Sequence, residues 1–190
     1  MKRLLTMMLV LMLCMAAGAQ SAKELYAEGK AFYDAEQYDK AVPKLKAAAD
    51  KGHRKAQYRL GMCYKEGYSV AKDRKKAFEL FLKSAKQDYA KAIYAVGKCY
   101  KDGKGVQKDR KKAVEHFAKA ARLGNADAQY QLGKAYLKGK GVAADEKKAR
   151  TWLSKAVKNE KGGDDILAKI RKAAKEGDED AKRMSKLIDK

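Results

Sequence analysis

The chain has 190 residues and carries 45 Lys plus Arg against 24 Asp plus Glu, a formal charge of +21. With 46% hydrophobic and 36% charged residues, it can bury apolar surface but must keep a heavily solvated exterior, a balance that suits short amphipathic helices better than a deep spherical core. A single Pro and 15 Gly exclude collagen-like and proline-rich disordered chains, and two His with three Cys leave little material for a metal site.

Lys2 and Arg3 precede an apolar run from Leu4 to Ala17, shorter than the roughly 20 residues a spanning helix needs. The run ends in Ala17-Gly18-Ala19, whose small side chains fit a signal peptidase. Residues 1–19 therefore read as a secretory signal cleaved before Gln20, which expects the remainder, residues 20–190, in the periplasm or outside the cell. A lipid anchor on Cys14 is the competing reading, but bulky Leu13 stands where a lipobox takes a small residue. No second apolar run of spanning length follows, so no integral membrane span is expected.

Beyond the leader the chain repeats itself every 36 residues, over 56–91, 92–127 and 128–163. Ala56, Tyr58, Gly61, Tyr64, Asp73 and Ala77 recur as Ala92, Tyr94, Gly97, Tyr100, Asp109 and Ala113, then as Ala128, Tyr130, Gly133, Tyr136, Asp145 and Ala149. A period of this size means a stacked array, because one unit cannot bury its apolar stripe alone. Within each unit, Ala56, Leu60, Cys63 and Tyr64 have the i, i+4, i+7, i+8 spacing of a helix face, and Ala77, Leu80, Phe81 and Ala85 form a second one. Asp73, Asp109 and Asp145 follow a turn and are placed to cap the second helix. Each unit is thus helix, turn, helix, and the fold class expected is all-α.

Cys63 and Cys99 stand one period apart. Equivalent positions on stacked helices are about 8–10 Å apart or more, beyond the roughly 7 Å a disulfide spans. Even in an oxidising compartment both are expected as buried, unpaired thiols packing like small apolar side chains.

The pattern Ala128-x-Tyr130-x-Leu132-Gly133-x-x-Tyr136, then Gly139-x-Gly141-Val142, Asp145-x-x-Lys148-Ala149 and Trp152 with Lys155 and Ala156, closely resembles the Sel1-like repeat, a relative of the tetratricopeptide repeat. Residues 22–55 resemble a plain tetratricopeptide unit through Gly29, Phe32, Ala41, Leu45 and Ala48, with four loop residues fewer between the helices. Ser69 replaces the second loop Gly, and Glu160 falls where the repeat has Gly124. Residues 164–190 read as closing helices with the polar outer face that an array needs to stay soluble. The resemblance implies an α-solenoid, a right-handed superhelix of helix-turn-helix repeats, and a non-enzymatic adaptor that takes up a protein segment in its concave groove without a cofactor.

Several short patterns invite chemistry and do not sustain it. Gly103-Lys104-Gly105 and Gly139-Lys140-Gly141 lack the preceding strand and third Gly of a phosphate-binding turn. Ser69-Val70-Ala71-Lys72 matches Ser-x-x-Lys, the motif of penicillin-recognising enzymes, yet falls in a loop, and neither companion element is present. β-Lactam chemistry is therefore a weak alternative. His53 in a turn and His116 on a helix share no carboxylate pattern that would make a metal pair.

The most suggestive set is Tyr26, Tyr58, Tyr94 and Tyr130, each three residues before the repeat Gly, a register that faces the concave surface in tetratricopeptide arrays. Lys30, Lys98 and Lys134 follow each Gly by one residue, Met62 takes that place in the second unit, and Lys65 and Lys101 lie one turn on. Phenols edged by ammonium groups would suit an acidic protein or peptide partner, although packing between helices is the more ordinary use of Tyr. KDRKKA at Lys72–Ala77 and Lys108–Ala113 puts cations into a helix's first turn, where its dipole disfavours them; solubility or an anionic polymer could have kept them there. With 36 Lys and 9 Arg, diffuse attraction to anionic envelope polymers or lipid headgroups is the alternative function, whereas specific nucleic-acid recognition favours Arg. N-terminal sequencing of the exported protein is expected to start at Gln20; a start at Met1, or at a lipid-modified Cys14, contradicts the leader assignment.

Overall fold

The computed structural model describes residues 20–189, so the leader assigned to residues 1–19 and Cys14 within it lie outside the described part. Ten helices and no strand occur among the described residues: α1 (Ala22–Asp34), α2 (Tyr38–Asp50), α3 (Arg54–Glu66), α4 (Arg74–Ala85), α5 (Ala90–Asp102), α6 (Arg110–Arg122), α7 (Ala126–Lys138), α8 (Glu146–Val157), α9 (Gly163–Lys175) and α10 (Glu179–Ile188). Each helix packs on the next along the chain, and the apolar interior is divided into three clusters that follow one another from α1 to α10. This is an all-α solenoid, with α9 and α10 lying against α8 to close the C-terminal end.

Glycine sets how closely the two helices of a unit approach. A Cβ added at Gly61 would fall 2.6 Å from Phe81, at Gly97 2.7 Å from Phe117, and at Gly133 2.7 Å from Leu153; at Gly29 it would be 3.0 Å from Leu45. Phe81, Phe117 and Leu153 are themselves one period apart, and all four bulky side chains are buried. The recurrent small residue on the first helix is therefore the socket for a large one on the second.

The turns repeat as faithfully. The Asp73, Asp109 and Asp145 carboxylates cap α4, α6 and α8 by accepting from the backbone N–H of Lys76, Lys112 and Lys148. The N–H groups of those aspartates donate back to the carbonyls of Tyr64, Tyr100 and Tyr136, pinching each loop shut. Gly105 and Gly141 adopt φ of 77° and 80°, and a Cβ there would come within 2.1 Å of the Arg74 carbonyl and 2.3 Å of the Arg110 carbonyl. Each loop thus rests on the second helix of the preceding repeat, and no side chain fits between. Ser69 takes the same left-handed conformation (φ 50°) but is exposed.

The first-turn cations have a structural explanation that the sequence does not disclose. The Lys76, Lys112 and Lys148 ammonium groups lie 4.3, 5.6 and 5.5 Å from the ring centres of Tyr64, Tyr100 and Tyr136, and Lys112 and Lys148 also approach their capping carboxylates at 3.7 and 3.1 Å. Cation–π attraction and a local ion pair offset the unfavourable dipole, so no external anion has to be invoked for these three lysines. Cys63 and Cys99 are free and buried, and burial pushes both thiols up to about 11.

Gly97→Val is expected to cost about 2–3 kcal/mol, because the added methyl groups must displace Phe117 or spread α5 from α6. A urea melt followed by far-ultraviolet circular dichroism checks this; an unchanged midpoint would mean that the two helices are not held at glycine distance.

Candidate functional site

The first helices of successive repeats, α3, α5 and α7, present residues of corresponding register on one face: Tyr58, Met62 and Lys65; Tyr94, Lys98 and Lys101; Tyr130 and Lys134, with buried Leu137 in the third place and Lys138 standing where the earlier repeats have Glu66 and Asp102. These helices pack on the second helices beside them, α3 on α2 and α4, α5 on α4 and α6, α7 on α6 and α8, which leaves niches between them. The niche between α3 and α5, about 330 Å³, has Lys65, Lys72, Arg74, Lys98 and Lys104 around a floor of Ala77 and Phe81, with Glu66 and Asp102 at its edge. The niche between α5 and α7, about 200 Å³, has Lys101, Arg110, Lys134, Lys138 and Lys140 over Ala113, Val114 and Phe117. No carboxylate lines the second niche among the described residues. Four cations of each niche occupy identical repeat positions: Lys65 and Lys101, Arg74 and Arg110, Lys98 and Lys134, Lys104 and Lys140.

Some of these charges are already satisfied. Lys65 pairs with Glu66, Lys101 with Asp102 at 3.7 Å, and Lys138 with Asp180 from the cap. Lys98 and Lys134 have no ion-pair partner among the described residues; they lie 5.6 and 5.1 Å from the ring centres of Tyr94 and Tyr130, one turn earlier on their own helices. Burial, then repulsion from Lys138 and Lys169, holds the Lys134 ammonium below the usual lysine range. Lys30 differs from its counterparts: Asp34 accepts from it at 2.5 Å and also from Arg59 at 3.0 Å, so it belongs to an internal ion cluster.

The tyrosines divide between packing and surface. Tyr58 and Tyr94 sit tilted on Phe81 and Phe117 at 5.7 and 5.8 Å with interplanar angles of 41° and 42°, so they point alike in successive repeats and keep an edge in the first niche. Tyr130 is only 7% exposed, drawn into the cluster formed with Leu153, Ile166 and Ile170; the C-terminal cap covers most of a ring that the repeat register alone leaves open. Tyr26 stacks on His53 at 4.3 Å and accepts from the Arg59 Nε at 3.4 Å. Burial raises the phenols of Tyr58, Tyr94 and Tyr130 above the usual tyrosine range, so they act as neutral rings.

The other singled-out residues have structural places. His53 caps α3, its Nδ1 accepting from the Ala56 N–H, and His116 stacks on Tyr100 at 5.6 Å. Ser69 and Lys72 are exposed in the loop before α4 rather than one turn apart on a helix. No group of three metal-ligating side chains occurs among the described residues, and no described helix is long and apolar enough to cross a membrane.

Sequence reasoning missed Arg74, Lys104, Arg110 and Lys140 as part of the basic niches, although their recurrence at one period was a usable signal. It also missed a third groove, about 580 Å³, at the N-terminal ends of α5, α7 and α9, where Tyr89, Tyr94, Leu123, Tyr130 and Ile166 meet Lys91, Lys161, Lys169, Asp127 and Asp165.

Comparison with known proteins agrees with this architecture. Three Sel1 repeats match at residues 54–89, 90–125 and 126–160. Among solved structures, a Sel1 repeat protein from Oxalobacter formigenes superimposes with a TM-score of 0.69 at 26% identity, over 82% of this chain and 72% of that one. A protective antigen present in uropathogenic Escherichia coli strains and displaying an SLR fold gives a TM-score of 0.73 at 27% identity, over 90% of this chain but only 41% of that one. No curated protein matches the sequence.

Lys134 stands among like charges, so Lys134→Gln is expected to raise the melting temperature by about 1–3 °C at low ionic strength, a gain that fades in 0.5 M salt. A melting temperature that falls on substitution would show that Lys134 serves the fold.

Proposed function

Because the chain belongs to the Sel1 repeat family, we propose that it is an exported scaffold whose concave face captures an acidic segment of a partner protein. Sel1 repeat proteins are generally protein-interaction scaffolds, and their fold is typically non-enzymatic. The observation that carries the reading is the pair of repeat-related basic niches, in which Lys98 and Lys134 are half-buried without a carboxylate partner. Cations held partly out of water gain more from a ligand carboxylate than fully solvated ones, and a positive groove also speeds encounter with an acidic partner. Since the helices are fixed by glycine-depth packing, the ordering cost of binding falls mainly on the ligand. The basic start, apolar run and small-x-small end of residues 1–19 support export to the periplasm or beyond. The exposed loop positions of Ser69 and Lys72 support a role without β-lactam chemistry.

A second reading is favoured by the charge of +21, supplied mostly by lysine: diffuse association with anionic envelope polymers or lipid headgroups. Titration calorimetry separates the two. A short Asp/Glu-rich peptide is expected to bind saturably, and Lys98→Ala with Lys134→Ala to weaken it about tenfold while flattening its salt dependence. Lys83→Ala with Lys86→Ala, exposed on α4 and just past its C-terminal end, serves as the control. Equal losses from both pairs would favour diffuse attraction, and unchanged affinity in the niche variant would remove this face from the mechanism.

A further inference from the structure

The middle repeat breaks the pattern of its neighbours at three polar positions, and all three departures converge on one place. In the first and third Sel1 units a buried glutamine opens the first helix. The Gln87 Nε2 donates to the Gln57 Oε1 at 2.9 Å and to the Gly52 carbonyl at 3.0 Å. The Asn159 Nδ2 donates in the same way to Gln129 and to the Gly124 carbonyl, both at 3.1 Å. In the middle unit this amide pair is Ile93 and Leu123. The helix cap changes as well: His53 and Asn125 accept from the backbone at the starts of α3 and α7, whereas Tyr89 makes no side-chain cap for α5.

Packing accounts for Ile93, which is 1% exposed, and for one side of Tyr89, which stands edge-on to Tyr58 at 5.4 Å. It does not account for Leu123, which is 48% exposed and the one large apolar side chain so exposed among the described residues. A cap worth about 1 kcal/mol and an amide network have been given up, and two of the three replacements, Tyr89 and Leu123, line the third groove. Local rules broken together at one concave place mark function more often than neglect.

Resting on the acidic-segment reading above, we propose that this groove is the anchor subsite of the same face. It takes one large apolar or aromatic side chain of the partner segment against Leu123, Tyr89 and Tyr94, while acidic residues beside that anchor reach the lysines. Charge complementarity commits the occupant. Lys91, Lys161 and Lys169 line the groove and outnumber its Asp127 and Asp165, and Lys169 lies 6.0 Å from the Tyr130 ring, so acidic neighbours of a side chain entering the groove meet an excess of ammonium groups. The groove's size, about 580 Å³, accommodates an aromatic ring with flanking backbone.

The test uses labelled peptides Asp-Glu-Asp-Glu-Xaa-Glu-Asp-Glu-Asp with Phe, Leu, Trp or Ser at Xaa, titrated by fluorescence anisotropy. The Phe or Trp peptide is expected to bind about fivefold or more tightly than the Ser peptide, and Leu123→Gln to bring the two together. Gln occupies the equivalent position in the preceding repeat, so the variant is expected to keep the wild-type melting curve. Equal affinity for the Phe, Trp and Ser peptides in the wild type, or a preference that survives Leu123→Gln, overturns the anchor subsite while leaving the acidic-segment reading intact. Failure of every peptide to bind overturns both.

Discussion

The whole array hangs on the absence of a side chain at one position of each first helix. Glycine at 29, 61, 97 and 133 lets the partner helix of the unit come close enough for Leu45, Phe81, Phe117 or Leu153 to lodge against bare backbone. Gly inside a helix costs about 1 kcal/mol relative to Ala. The burial of a Phe or Leu side chain returns about 1.5–3 kcal/mol, so the close-packed pair prevails. The matching tilt of Tyr58 and Tyr94 on Phe81 and Phe117 is built on that spacing.

The same spacing makes the niches. Because each first helix is pulled onto its own second helix and stacks on the second helix of the unit before, α3, α5 and α7 pack chiefly on α2, α4, α6 and α8 rather than on one another. The gaps left between them are floored by the alanines and phenylalanines of α4 and α6 and walled by long cationic side chains. A stack of similar bricks therefore yields basic clefts that share four cation positions, and charge density is amplified by repetition rather than by a special local sequence. Lysine in the first turn of α4, α6 and α8 is held differently: by the tyrosine ring in all three and also by the capping aspartate in α6 and α8, which separates structural cations from those left without an internal partner.

Departures from the repeat are as informative as the repeat. Lys30, drawn into a cluster with Asp34 and Arg59, is neutralised where Lys98 and Lys134 are not. Tyr130 loses its solvent to α9 and α10, because the last repeat has no successor and the cap must cover its apolar edge. Leu123 stands in the open where neighbouring units keep an amide.

What the sequence determined by itself is whatever depends on local chemistry and period: helix pairs every 36 residues, aspartates at the caps, free buried cysteines one period apart, and family membership. Those follow from spacing along a single helix and from the need of one unit to bury its stripe on the next. What only the tertiary structure decided is which cations share a space. Arg74 lies 24 residues before Lys98, and Lys104 reaches the same niche from the following loop; no helical period links them. Likewise the burial of Tyr130 and the exposure of Leu123 depend on what the cap and the next turn cover, a matter of three-dimensional enclosure that residue type and register do not encode.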